Sequence, residues 1–305
     1  MRDWTGLLPV FLLAVLVTTV VHAAGTPQKA FGSPDDAASA LMQAVKTHDR
    51  AQTFAILGDV AGWISSGDAV ADRAAAEQFV TDYEMKHAIV QEGDKATLMI
   101  GTDGFPFAFP LVKVGDAWRF DTAAGKEELL DRRIGGNELD AVKVLQAIAD
   151  AEQEYASEPR RGDGVVQYTT KFASSSGKRD GLYWPTKAGE PPSPLGALVA
   201  GAAGEGYKKG EKSPTPYHGY FYRMLKGQGN NAESGAFDYV VQGREIAGFA
   251  VVAYPARYGN SGIMTFIINQ DRKVYQSDLG PNGHEKASQM QRFDPGPGWT
   301  QVNLP

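Results

Sequence analysis

The chain has 305 residues, a formal net charge of −6 and no cysteine. Without thiols there are no disulfides, thiolate metal centres, cysteine nucleophile or lipid-modified cysteine. The basic residues form no block, which excludes the clustered Lys/Arg footprint of a nucleic-acid-binding surface.

Leu7 to Val21 is apolar except for Pro9 and two threonines, about 15 residues against the roughly 20 that span a bilayer. Small residues at Val21 and Ala23 predict a signal peptide over 1–23, cleaved after Ala23. Arg2 is offset by Asp3, so an uncleaved anchor is the second reading. The expectation is a soluble periplasmic or secreted protein, with no membrane span after cleavage.

The mature chain reads as two α+β parts, residues 24–134 and 135–305. In the first, Ser33-Pro34-Asp35-Asp36 is a helix start: an N-cap hydroxyl, a first-turn proline and acids at the positive end. Ala37, Leu41, Ala44 and Val45 follow at helical spacing. Further helices are predicted over 51–57 and 73–85, then extended runs over 95–101 and 107–114. A Gly115-Asp116 turn returns the chain through AWRFDT. The opening helical phrase and the hairpin VGDAWRFDT resemble the cone fold of nuclear transport factor 2-like domains. That resemblance implies helices packed on an antiparallel sheet around a pocket and, because fold chooses no chemistry, no particular function.

Residues 137–156 predict the strongest helix, with Val144, Ile148, Ala151 and Tyr155 on one face. Gly135-Gly136 before it reads as a joint between the halves, although a long helix could equally weld them. From residue 160 the composition turns to Gly, Pro, Tyr and Ser. Strands are predicted over 220–227, 237–243, 246–255, 262–269 and 273–280. A long helix packed on an antiparallel sheet makes this half α+β as well. The phrases SSGKRDGLYWP, PSPLGALVA, YHGYFYRMLKGQG, GAFDYVV and GFAVVAYPARYGNSGIMTFIINQDRKVYQSDLG, kept in this order, resemble the bacterial family of domain of unknown function 2950. The resemblance implies an exported protein of unestablished activity. The second half also resembles the globular heads of type II secretion pseudopilins, without their N-terminal prepilin motif and assembly helix.

The densest chemistry is SSSGKRDGLYWP, residues 174–185. It is not a Walker loop: Phe172 stands where the first glycine belongs, and Arg179 where the magnesium-binding hydroxyl belongs. A Ser/Lys site needs a desolvated lysine that has lost its proton. Ser176, Lys178 and Asp180 are the catalytic candidates on that reading; a turn closed by Asp180-Gly181 is the structural one. A pocket in the first half, with Asp49, Asp82 or His87 as base, is a further enzymatic option. No histidine has a partner at zinc-motif spacing. Asp271 and Asp278 offer calcium oxygens outside any twelve-residue calcium loop, so no cofactor is predicted and calcium alone stays open.

Aromatics concentrate in the second half. Tyr183, Trp184, Tyr220, Tyr222 and Tyr258 are the binding candidates for a groove holding a glycan or peptide, the alternative being an aromatic core. The expected function is a non-catalytic binding module for an envelope protein, peptide or polysaccharide. The alternatives are a periplasmic hydrolase using the 174–180 loop and a structural component of an envelope or secretion-associated assembly.

Overall fold

A computed structural model describes residues 27–160, 164–207 and 215–303; the predicted signal and its cleavage site lie outside them. Ser33 caps α1 (Pro34–Lys46) by accepting the Asp36 N–H, and Asp49 caps α2 (Arg50–Leu57) through Gln52 N–H. α3 (Ala69–Met85) starts earlier than predicted, because Asp68 accepts the N–H groups of both Val70 and Ala71. An antiparallel sheet follows: β1 (His87–Glu92), β2 (Lys95–Ile100), β3 (Phe105–Pro106), β4 (Leu111–Val114) and β5 (Ala117–Phe120). Its order is β1-β2-β4-β5, with β3 pairing β2. The run predicted over 107–114 is strand only from Leu111, after Pro110. The exposed strand β1 is an addition to the prediction. Gly115, at φ +63, turns the β4–β5 hairpin between the paired Val114 and Ala117. Leu41, Ile56, Leu98, Phe109, Leu111 and Phe120 make the core between these helices and the sheet.

The long helix differs most from expectation. α4 (Thr122–Tyr155) is continuous over 34 residues, capped by the Asp121 carboxylate on Ala123 and Ala124 N–H. Gly135 and Gly136 lie inside it, so the boundary expected between residues 134 and 135 falls mid-helix. Two interior glycines cost about 1 kcal/mol each relative to alanine. The Asp121 cap, the helix formers before the glycines and packing on both halves outweigh them.

The second half adds α5 (Gly196–Gly204), β6 (Tyr220–Leu225), β7 (Gly227–Gln228), β8 (Phe237–Asp238), β9 (Val240–Val241), β10 (Arg244–Glu245) and β11 (Ala250–Pro255). β12 (Met264–Asn269), β13 (Tyr275–Asp278), α6 (Gly283–Gln289), β14 (Arg292–Phe293) and β15 (Thr300–Gln301) complete it. The main sheet runs β15-β13-β12-β11-β6, entirely antiparallel, so the α+β class holds in both halves. β11 is buried along its whole length because both sheet faces are covered. Val251 and Ala253 meet Leu145, Ile148 and Tyr155 of α4, while Val252 and Tyr254 share a second core with Tyr239, Ala287 and Phe293. The run predicted as one strand over 237–243 is split. β8 pairs β7, whereas β9 folds back on β10 through Gln242 (φ +52) and Gly243 (φ +77). Among the described residues no helix is long and apolar enough to cross a membrane.

The halves are joined by more than α4. Arg133 donates to the carbonyls of Trp63 (3.1 Å) and Ile64 (2.6 Å) and to Asn260 Oδ1 (2.8 Å). Arg257 donates to the carbonyls of Ser65 (2.9 Å) and Gly62 (3.1 Å). Beside them, Asp68 is fully buried and its Oδ2 accepts from Tyr207 Oη (2.7 Å) and Gly219 N–H (3.2 Å).

Candidate functional site

The stretch from Thr169 to Trp184 contains no regular strand, yet it is tied down along its length. Leu182 N–H donates to Lys171 O, Tyr183 N–H to Phe172 O, and Ser174 N–H to Tyr183 O. Tyr155 Oη, from the end of α4, donates to Arg179 O at 2.8 Å, and Thr169 Oγ1 to Asp180 O at 2.8 Å. Gly181 is required here, since a Cβ would stand 2.6 Å from the Ala173 carbonyl carbon. The loop is therefore a fixed platform, and its tip is the Ser175–Lys178 turn with Gly177 at φ +73.

That platform borders an open groove of about 670 Å³. It is lined by Arg160, Thr170, Lys171, Lys178, Arg179 and Asp180 and by Val240, Gly243 and Glu245 of the β9–β10 hairpin. Four cations against two carboxylates make the groove positive in a chain of net charge −6. The cations are not equivalent. Arg160 donates to the carbonyls of Tyr155 and Glu154, and Lys171 pairs with Asp180 at 2.7 Å. The Lys178 and Arg179 side chains have no ion pair or hydrogen bond among the described residues. The Arg179 guanidinium lies 5.4 Å from the centre of the Trp184 ring, a cation–π contact that leaves its N–H donors available.

Asp180 is locked into the loop. It accepts from Lys171 Nζ, from Ser175 N–H (2.7 Å) and from Ser175 Oγ (3.0 Å). These hydrogen bonds, that from Lys171 foremost, hold its carboxyl well below the usual range. Such a carboxylate is a poor base. Glu152, on α4, is the opposite case. It is fully buried, its Oε2 accepts the Thr169 N–H at 3.1 Å, and its Oε1 has no hydrogen-bond partner among the described residues. Desolvation, with nearby Glu245 adding to it, pushes its pKa well above the ordinary 4.5. Burial therefore favours the protonated form of Glu152, which sits behind the platform.

Of the catalytic candidates, Lys178 and Asp180 line the groove and Ser176 does not. Ser176 and Lys178 are both exposed to solvent at the turn, not enclosed in a nucleophile pocket. Ser174 and Ser175 are engaged with Gly181 and Asp180.

The five aromatic candidates do not converge on one groove. Trp184 and Tyr220 are core residues, and Tyr220 Oη donates to Met264 O at 2.9 Å. They are buried because they fill the space between α4 and the sheet, where large rings gain most. Tyr183 packs against the same core, as does Tyr222, whose buried hydroxyl has no partner among the described residues. Tyr258 is half-buried and donates to Asp278 Oδ2 at 3.1 Å.

Asp271 and Asp278 lie at opposite ends of the β12–β13 hairpin. Asp271 is in a reciprocal turn with Asn269, and Asp278 accepts Gly280 N–H. Neither belongs to a cluster of three or more metal-binding side chains among the described residues. In the first half, Asp49 is a helix cap, Asp82 accepts from Gln78, and the His87 ring stacks on Tyr83. Arg160, Lys171, Arg179, Val240 and Glu245 escaped the sequence reading of the site. Arg179 was within reach, being in the same charged phrase as Lys178; the others meet only through tertiary structure.

A family model described as protein of unknown function (DUF2950) matches residues 28–302. No curated protein and no solved structure gave a significant match.

Proposed function

The chain belongs to the DUF2950 family, and from that premise we propose that it is an exported, non-catalytic module that binds an anionic envelope partner in the groove beside the 171–180 platform. Export is supported by the short apolar run and small-residue cleavage pattern of residues 1–23. The observation that carries the binding reading is the pair Lys178 and Arg179. Both are held on a rigid loop at a positive groove, without ion-pair partners of their own among the described residues. Unmatched cations on a fixed backbone suit recognition of carboxylate or phosphate groups, with little ordering of the site on binding. The exposed Ser176 and the locked Asp180 support recognition over hydrolysis.

The test is titration of the protein with polyglutamate and polygalacturonate, with polylysine as control. The expected result is binding of at least one polyanion, weakening between about 50 and 300 mM salt as exposed charges are screened, with polylysine inert. Failure of both polyanions to bind would reject the reading. So would turnover of an ester substrate that disappears in Ser176→Ala.

A further inference from the structure

The two edges of the first sheet are finished differently. At one, β5 is closed by Phe31, whose N–H donates to Trp118 O at 2.9 Å and whose carbonyl accepts the Trp118 N–H at 2.8 Å. At the other stands β1, the end strand in the order β1-β2-β4-β5. Its pairing with β2 is regular, from His87 opposite Ile100 to Glu92 opposite Lys95. Gly101 N–H donates to Lys86 O, and Glu92 and Lys95 flank the two-residue turn Gly93-Asp94. Both observations put Lys86, Ala88, Val90 and Glu92 at the positions that exchange main-chain bonds with β2. His87, Ile89 and Gln91 therefore turn their N–H and C=O groups outward. No main-chain bond to these three occurs among the described residues outside the β1–β2 ladder. The strand has neither proline nor bulge, and every residue from Glu84 to Asp94 except Ile89 is exposed. Natural sheets usually shield such an edge.

What fits this edge follows from its own sequence. Lay a second β1 antiparallel beside the first, about a two-fold axis at Ile89. His87 then faces Gln91 of the second copy and Ile89 faces Ile89, each pair exchanging both main-chain hydrogen bonds. At the closer positions between them, Ala88 faces Val90, and Lys86 faces Glu92 at both ends of the ladder. Lys86 is itself extended (φ −164, ψ 133), and neither it nor Glu92 has an ion pair among the described residues. A shift by two residues either way leaves an outward residue facing nothing in the strand. It also sets Lys86 opposite Val90, or Glu92 opposite Ala88. Opposite charges at both ends of a self-complementary row suit a second copy of the chain, as in an isologous two-fold dimer. We propose that the protein forms a homodimer by antiparallel pairing of β1 with β1 of a second copy, in the register that sets Lys86 against Glu92. The contact is small for an interface, so the dimer is reversible. β1 shares no residue with the groove, so the dimer stands or falls apart from the binding reading.

The test is sedimentation velocity of the full chain over a concentration series, beside the variants Gln91→Pro, K86E and E92K. Gln91 is exposed and its N–H faces outward, so a proline there spares the bonds to β2 while its ring blocks the edge. The unaltered chain is expected to dimerise reversibly. Gln91→Pro is expected to weaken the dimer about a hundredfold, since a donor is lost in both copies and the ring intrudes. K86E and E92K each set like charges face to face at both ends, and each is expected to weaken it about tenfold. Mixed in equal amounts, these two variants should associate as tightly as the unaltered chain, because each supplies the charge that the other lacks. A chain that stays monomeric into the millimolar range would overturn the proposal. So would a dimer indifferent to Gln91→Pro, or charge variants that fail to associate with one another. Slow amide exchange at His87, Ile89 and Gln91 in a monomer would place another segment of the chain on the edge and equally reject the dimer.

Discussion

Two pairs of basic residues illustrate opposite uses of the same chemistry. At the junction of the halves, Arg133 and Arg257 together donate to four backbone carbonyls of residues 62–65 and to Asn260. In the groove, Lys178 and Arg179 sit on an equally well-tethered loop, yet their side chains have no hydrogen-bonded partner among the described residues. The junction residues act as structural clamps. The groove residues have donors available to a ligand. Mutations that matter at one place should therefore be nearly silent at the other.

The largest effect is expected for Arg133→Ala. It removes a charged donor from three acceptors in a largely desolvated setting, and about 3 kcal/mol of stability should be lost in urea unfolding. Gly181→Ala comes next. Its Cβ would press on the backbone of Ala173 and Ser174, costing about 2 kcal/mol and weakening polyanion binding as the platform shifts.

Glu152→Gln separates the buried acid from the surface charges. With its folded pKa raised, Glu152 binds more protons in the native than in the unfolded chain. Its contribution is full below the ordinary 4.5 and is lost as pH rises toward the folded value. The slope reaches up to about 1.4 kcal/mol per pH unit. The glutamine variant should lack that decline in thermal unfolding followed across pH. The smallest stability change, within about 0.5 kcal/mol, is expected for K178A/R179A, because exposed and unpaired charges contribute little to folding.

Much of this arrangement was legible in the residues. Ser33-Pro34-Asp35-Asp36 announced α1, and Gly115-Asp116 the hairpin after β4, because caps and tight turns are local chemistry. The α+β class followed from such signals in series. Gly135-Gly136 could not decide between a joint and a weld, because helix propensity is a sum and a strong cap at Asp121 lies outside the window that the glycines occupy. The aromatics stayed ambiguous for a different reason. Tyr220 and Trp184 carry the same side chains whether they line a groove or fill a core, and only the packing of α4 against the sheet decides. The hairpin wall was illegible, since Val240 and Glu245 reach the 171–180 loop through a fold that no spacing along the chain records.

The most direct measurement is amide chemical-shift mapping of the isotopically labelled protein during titration with polyglutamate. Shifts concentrated at residues 171–180 and at Val240 and Gly243, with Arg133, Arg257 and Asn260 unmoved, are the predicted result. Shifts centred on the junction or on Tyr258 and Asp278, or no shifts at all, would contradict it.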